Sequence, residues 1–304
     1  MGDVDVQSMV FCSVLGGLVS LLVIPLILLP DLFRSIACRR RGLEQMVEGV
    51  QRTVTLRLGG LALVTAFLSV AALIHLLYPA AIENRSHVCI TVVWTALAMF
   101  VAGLWHDVRP VRTIKKLLIQ TLIATIACTQ GVVIDALQNP FGASSVPLGI
   151  WGGTVTVLWL VGVTNLIGFV DRIDGLAGAV GLTLMGLLAY LAFGLNAPFA
   201  AMCAIGMFGA LLGFLVYNFP LARIQMGSGG TAFVGFLIGS LPIANSNHEG
   251  VLSAGMFVLV ILGAGFLFLS RGWLWRMFPA LPSVQTAEPV RNRLRGGRID
   301  FRQN

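Results

Sequence analysis

Nine stretches of the chain are continuously apolar, and charged residues fall almost entirely between them. They cover roughly residues 7–29, 57–79, 88–105, 115–134, 149–168, 175–194, 198–217, 230–244 and 251–270. Crossing about 30 Å of hydrocarbon at 1.5 Å per residue takes roughly 20 mostly apolar residues, so each stretch is a candidate membrane-spanning helix. The runs do not alternate apolar with polar as barrel strands do, which predicts helices. Asp3 and Asp5 precede the first run and no basic segment does, so it reads as a retained helix rather than a secretory leader. The expected fold is an all-α polytopic membrane bundle of about nine transmembrane helices. Residues 1–270 are expected to form one transmembrane domain, and 271–304 a basic tail.

Charge adds the orientation. With the N-terminus outside, the inner segments are 30–56, 106–114, 169–174, 218–229 and the tail from Arg271. Together with the adjoining Arg57, Lys115 and Lys116, they hold every Lys and Arg except Arg85. This one-sided distribution follows the positive-inside rule, so the C-terminus and these loops are expected in the cytoplasm of a cell (inner or plasma) membrane. The net charge of +7 is then explained by basic loops at an anionic leaflet and requires no nucleic-acid partner.

Composition agrees with this. Of 304 residues, 57% are hydrophobic and 11% charged, against about 25% charged in soluble domains; mean hydropathy is +0.90. That excludes an ordinary soluble class. Cys12, Cys38, Cys89, Cys128 and Cys203 are scattered without metal-ligand spacing and read as apolar packing residues. Most of the 35 glycines read as sites of close helix packing. Asn84-Arg85-Ser86 is a glycosylation sequon on an outer loop.

Four inner segments carry the chemistry-bearing residues. They are Thr55–Gly60, Gly103–Pro110 with Lys115 and Lys116 after it, Thr164–Ala177, and Tyr217–Thr231. Ionisable residues near membrane depth are expensive and point to function. Asp107, Asp171 and Asp174 are the acids near the inner ends of spans three to six. Asp171 and Asp174 are three apart, so on a helix they share a face and together could hold a divalent cation. Arg57, Arg109, Lys115, Lys116, Arg172 and Arg223 could balance phosphate charge. Taken singly, each acid is better explained by interfacial solvation and ion pairing with these cations; as a set on one face they point to a site. An unrelated transporter would instead place paired charges at mid-membrane in broken helices.

In order and spacing, the four segments resemble the polyprenyl-phosphate N-acetylhexosamine-1-phosphate transferases. Arg57-Leu-Gly-Gly60 resembles that family's Pro-Arg-x-Gly-Gly. Trp105-His-Asp-Val-Arg109 with Lys115 resembles its Asp-Asp motif and trailing Lys. Asn165 through Ala177 resembles its Asn-Ala-x-Asn-x-x-Asp-Gly-x-Asp-Gly-Leu-Ala. Gly213–Asn218 and Met226-Gly-Ser-Gly-Gly230 resemble the stretch leading to Met-Gly-Asp-x-Gly.

The resemblance implies transfer of a sugar-1-phosphate from a UDP-sugar to a polyprenyl phosphate, with release of UMP and help from Mg2+ or Mn2+. Asp107, Asp171, Asp174 and His106 would be catalytic, and Asp107, Asp171, Asp174 and Ser228 the metal set. Arg57, Arg109, Lys115, Asn165, Arg172, Asn218 and Arg223 would bind substrate. The bilayer, the polyprenyl phosphate and the UDP-sugar are the expected partners, with a homodimer among the expected associations.

The chain departs from the pattern at four points. His106 stands for the first Asp of the pair, Gly168 for the second Asn, Arg172 for a Gly, and Ser228 for the Asp of Met-Gly-Asp; no His-x-His-His loop is found. A hydroxyl is a poor substitute for a carboxylate on Mg2+, and an imidazole favours softer metals. A catalytically inactive relative, acting as scaffold, partner subunit or lipid-phosphate binder, is therefore the alternative reading.

Overall fold

The apolar runs fold as helices because lipid offers no partner for a bare backbone N–H or C=O, and a helix satisfies these groups within itself. The structure is a computed structural model that describes residues 6–40, 58–79, 82, 86–109, 112–138, 145–171, 175–218 and 224–244, with side chains described outside 30–40, 137–138 and 145–146. All of these lie in the first of two compact units of the chain, residues 1–261.

The helices are α1 (Val6–Arg40), α2 (Gly59–Leu77), α3 (Ser86–Val108), α4 (Thr113–Thr129), α5 (Gly152–Val170), α6 (Leu176–Gly194), α7 (Pro198–Asn218) and α8 (Gly227–Ala244). Seven helices among the described residues are long and apolar enough to cross a membrane: α1 over Val6–Leu29, α2, α3, α5 with the preceding turn from Gly149, α6, α7 and α8. The protein is a multi-pass membrane protein.

The expected count of nine is not reached among the described residues. The stretch 115–134 does not stay helical to its end: α4 has 17 residues and stops at Thr129. Gly131 then takes φ +97°, a left-handed conformation that turns the chain out of the helix. The ninth stretch, 251–270, and the tail lie outside the described residues.

The segment Asp135–Pro147, expected as an outer loop, contains a short ribbon. Strand β1 (Ala136–Gln138) pairs antiparallel with β2 (Ser145–Pro147), Leu137 opposite Val146. The buried Thr156 fixes its base: its hydroxyl accepts from the Ile134 N–H at 2.9 Å and donates to the Gly152 carbonyl at 2.7 Å.

Helix α8 is the centre of the bundle. It is apolar or small all round and packs against α2, α3, α5, α6 and α7. Every residue in it is buried except Ser228. A helix apolar all round is stable in lipid or within protein; Gly229, Gly230, Gly235 and Gly239 are what let neighbouring helices close around this one. Phe233 is held edge-on between Phe67 and Phe100, with ring centroids 5.4 and 6.3 Å away. The half-buried Trp159 indole donates to the Gly239 carbonyl at 3.1 Å, so its N–H has a partner in α8. Around the rim, α1 lies along α7 through small residues; a Cβ on Gly213 would stand 2.8 Å from the Gly17 carbonyl oxygen. Cys12, Cys89 and Cys203 are buried among apolar side chains.

Candidate functional site

Contacts along the bundle bring the start of α2, the end of α3, the end of α5 and the start of α8 to one end. The first two N–H groups of α2 have no partner within that helix. They donate instead to the chain leading into α8: Gly59 N–H to the Gln225 carbonyl at 3.0 Å and Gly60 N–H to the Met226 carbonyl at 3.1 Å. A Cβ on Gly60 would lie 2.6 Å from the Gly230 Cα, so only glycine allows this approach. At Gly227, φ is +74°, and the chain turns there into α8. The α5 helix runs antiparallel to α8, with Gly235 against Thr164 and Gly168 facing Thr231.

The closest approach is between α3 and α8. A Cβ on Gly103 would collide with the Ser228 carbonyl oxygen and stand 2.6 Å from the Gly229 Cα. One turn further, two consecutive residues of α3 meet two consecutive residues of α8. The Nδ1 of His106 lies 3.3 Å from the Oγ of Ser228. The Oδ2 of Asp107 accepts from the Gly229 N–H at 3.2 Å. Asp107 thus caps α8 from another helix: a carboxylate beside the positive end of the α8 dipole, on a donor with no partner in its own helix. His106, Asp107 and Ser228 are half-buried.

The other expected residues fall as follows. Asp171 is the C-cap of α5, its N–H donating to the Ile167 carbonyl at 3.1 Å. The helix ends at Val170 and the next begins at Leu176 after Gly175 in a left-handed conformation; Asp174, expected to share a face with Asp171, lies outside the described residues. Asn165 donates to Gln120 Oε1 at 2.8 Å and to the Val161 carbonyl at 2.8 Å. Asn218 is buried and donates to the Ile224 carbonyl at 2.7 Å, tying the end of α7 to the chain that leads into α8. The Arg109 guanidinium lies over the Trp105 ring, 5.8 Å from its centroid. Arg109 and Lys115 are exposed and Lys116 is half-buried. Arg57, Arg172, Asp174 and Arg223 lie outside the described residues, as does the sequon Asn84.

Mg2+ and Mn2+ prefer an array of oxygen acceptors. The α3–α8 junction assembles one carboxylate, one hydroxyl and one imidazole, and an oxygen of that carboxylate already accepts from Gly229. Among the described residues no three His, Cys, Asp or Glu side chains are grouped so as to hold a metal ion. Of the expected metal set, Asp107 and Ser228 stand at this junction, Asp171 ends α5, and Asp174 lies outside the described residues.

One participant escaped the sequence reading, and two glycines inside its motif segments had no role assigned. Gln120, a lone amide inside an apolar run, is 3% exposed and is the partner of Asn165; its polarity in that context was the available signal. Gly103 and Gly229 act through backbone proximity, which no side chain advertises.

The family model for glycosyl transferase family 4 matches residues 88–246, just over half of the chain. The "Probable undecaprenyl-phosphate N-acetylglucosaminyl 1-phosphate transferase" of Bacillus subtilis (strain 168) is 30% identical over 251 residues, covering 82% of this chain and 68% of the relative. The "Phospho-N-acetylmuramoyl-pentapeptide-transferase" of Lactiplantibacillus plantarum is 26% identical over 259 residues, 80% of this chain and 79% of the relative. Its namesake in Enterococcus faecalis is 35% identical over 116 residues, 38% of this chain and 36% of the relative. The match spans the residues that build the α3–α8 junction as well as α5, α6 and α7, and on it this chain belongs to glycosyl transferase family 4.

Proposed function

We propose that this chain transfers an N-acetylhexosamine-1-phosphate from a UDP-sugar to a polyprenyl phosphate in the synthesis of a cell-envelope polysaccharide or peptidoglycan precursor. An oxygen of the polyprenyl phosphate attacks the phosphorus bearing the sugar. The bond from that phosphorus to the UMP oxygen breaks, UMP leaves, and a polyprenyl diphosphate sugar remains. The observation that carries this reading is the convergence of the four motif segments at one end of the bundle, in a chain similar along 82% of its length to a transferase named for this reaction.

The chain's own residues supply binding and orientation. Arg109 and Lys115 follow the junction directly and can take phosphate charge. Apolar helix faces around the bundle suit a long prenyl tail. Asn165, held by Gln120, stands on α5, whose C-terminal turn packs beside Thr231 of α8. Phosphoryl transfer asks a protein chiefly for positioning and charge stabilisation.

The test is a transfer assay on the purified protein with labelled UDP-N-acetylglucosamine and undecaprenyl phosphate, scanned over Mg2+ and Mn2+. UMP release coupled to labelled lipid supports the reading. Binding of the lipid phosphate with no UMP release would support the second reading, a catalytically inactive relative that binds lipid phosphate. That alternative is favoured by the engagement of Asp107 as a helix cap.

A further inference from the structure

We infer that Gln120 is a positioning residue of the site. It holds the Asn165 amide so that Asn165 meets a ligand as an acceptor only, through Oδ1, and the group received there is an N–H or O–H of a sugar nucleotide. The choice of a sugar nucleotide rests on the proposed function; the polarity of the contact rests on the geometry of the two amides.

An asparagine side chain has two hydrogens to donate and one oxygen to accept with. The Asn165 Nδ2 lies 2.8 Å from the Val161 carbonyl and 2.8 Å from Gln120 Oε1. A backbone carbonyl can only accept, so the nitrogen of the Asn165 amide is the end that faces Val161. Gln120 must then turn its oxygen, not its nitrogen, to the same Nδ2. Two acceptors take the two hydrogens, and what Asn165 has left for an outside group is Oδ1. Phosphate oxygens are acceptors too, so they do not match it. In a UDP-sugar the matching groups are the hydroxyls, the acetamido N–H and the uracil N–H. A polyprenyl phosphate brings acceptor oxygens and a hydrocarbon tail instead.

Packing alone does not call for Gln120. The buried residues of α4 are Gln120, Ile123, Ala124 and Ala127, one stripe at helical spacing that faces the bundle. Gln120 is the polar member of that stripe, at the end nearest the basic residues Arg112, Lys115 and Lys116. An amide within an apolar run is costly to bury unless its polar atoms are used, and a leucine would fill the position without that cost.

The pair also stands beside the α3–α8 junction. Helix α4 packs on α3 and α5, and α8 packs on the same two helices, so the four close a ring. The His106–Ser228 bond joins α3 to α8 in that ring, and the Gln120–Asn165 bond joins α4 to α5. Asn165 is three residues from Gly168, about 4.5 Å along the helix and adjacent on its surface. The Gly168 Cβ position is 3.7 Å from the Thr231 Oγ1, which lies 3.2 Å from the Ser228 carbonyl. Asn165 is half-buried, which leaves it within reach of a ligand.

The experiment uses the full chain in detergent micelles. Calorimetry reads the Kd of UDP-N-acetylglucosamine, UMP and undecaprenyl phosphate with Mg2+ present, and of Mg2+ alone. Gln120→Leu and Asn165→Leu should each weaken UDP-N-acetylglucosamine by about three- to tenfold, the scale of one lost hydrogen bond. The double variant should lose no more than either single one. Undecaprenyl phosphate and Mg2+ should bind as they do to the parent. Gln120→Glu keeps an oxygen for Nδ2 whether charged or neutral and should recover part of the loss. Thermal unfolding of each variant checks that it is folded at the assay temperature. UMP separates the two sources of the donor: a parallel loss for UMP places it on the nucleoside, and unchanged UMP binding places it on the sugar. Unchanged affinity for UDP-N-acetylglucosamine in both leucine variants overturns the inference. So does an equal loss for undecaprenyl phosphate, which marks general damage, and so does a loss for Mg2+ alone, which would make a cation the partner of Oδ1. Failure of the parent to bind UDP-N-acetylglucosamine overturns it as well. Turnover is read separately. Weakened binding in the variants with no UMP release by the parent would sink the transferase reading and leave this inference standing; turnover by the parent with binding unchanged in the variants would do the reverse.

Discussion

Asn165 of α5 donates its side-chain amide to Oε1 of Gln120, a buried residue of α4, at 2.8 Å. The same Nδ2 also reaches the Val161 carbonyl, which locks the amide against its own helix. Gln120→Leu should therefore lower stability by about 1 kcal/mol through loss of this bond. A double-mutant cycle with Asn165→Leu, read by thermal unfolding in detergent, should show a coupling of about 0.5–3 kcal/mol. Strict additivity would mean that the contact contributes nothing.

Gly103→Ala and Gly60→Ala should each destabilise the bundle by about 1–3 kcal/mol, because the new methyl meets the backbone of α8 rather than a yielding side chain. Gly162 is the control: nothing lies within 4 Å of its Cβ position. Gly162→Ala should be neutral or slightly stabilising, by up to about 1 kcal/mol, from helix propensity. Midpoints of unfolding for the three variants in one detergent check the ordering.

Asp107 serves α8 as a cap whether or not it serves chemistry. Asp107→Ala should cost about 0.5–2 kcal/mol of stability, the range for a lost cap. Asp107→Asn keeps an oxygen for the Gly229 N–H and should recover much of that. Turnover separates the roles: a carboxylate required by the reaction leaves Asp107→Asn folded and inactive, whereas a purely structural Asp107 leaves it active.

Converting His106 and Ser228 to carboxylates should change the ion preference of the site. The double variant His106→Asp with Ser228→Asp supplies two hard oxygen ligands where an imidazole and a hydroxyl now stand, and its Mg2+ or Mn2+ affinity by calorimetry should exceed the parent's. Gly168→Asn should help further; its Cβ position is 3.7 Å from Thr231 Oγ1, ordinary contact distance. Equal affinity in parent and variants would show that these positions do not form a metal site.

The membrane orientation is open to cysteine labelling or reporter fusions. Residues 38–41, 109–112, 172, 223 and 291–298 should report from the cytoplasm, and Asn84 and Gly142 from the other side, following the positive-inside distribution. An extracytoplasmic signal at Arg109 would reverse the arrangement.

Membrane class and the location of the motif segments follow from the sequence by itself. Apolar length is set by bilayer thickness, and the rarity of charge in lipid makes each acid conspicuous wherever it stands. Asp107, Asp171, His106 and Ser228 could be picked out before any coordinate because they interrupt or border apolar runs. Where the helices end was less legible. The break after Thr129 depends on a left-handed Gly131, and α5 ends at Val170, with Asp171 as its C-cap. Apolar pattern marks what can enter lipid, and it does not mark where the backbone turns. Tertiary structure alone decided the rest. Gly103 permits α3 to touch α8, Asp107 accepts from the N–H of Gly229, His106 and Ser228 share a hydrogen bond, and Gln120 accepts from the amide of Asn165. Those pairings join positions 45 to 122 residues apart through hydrogen bonds whose range is a few ångströms, so only the packed helices bring their partners within reach.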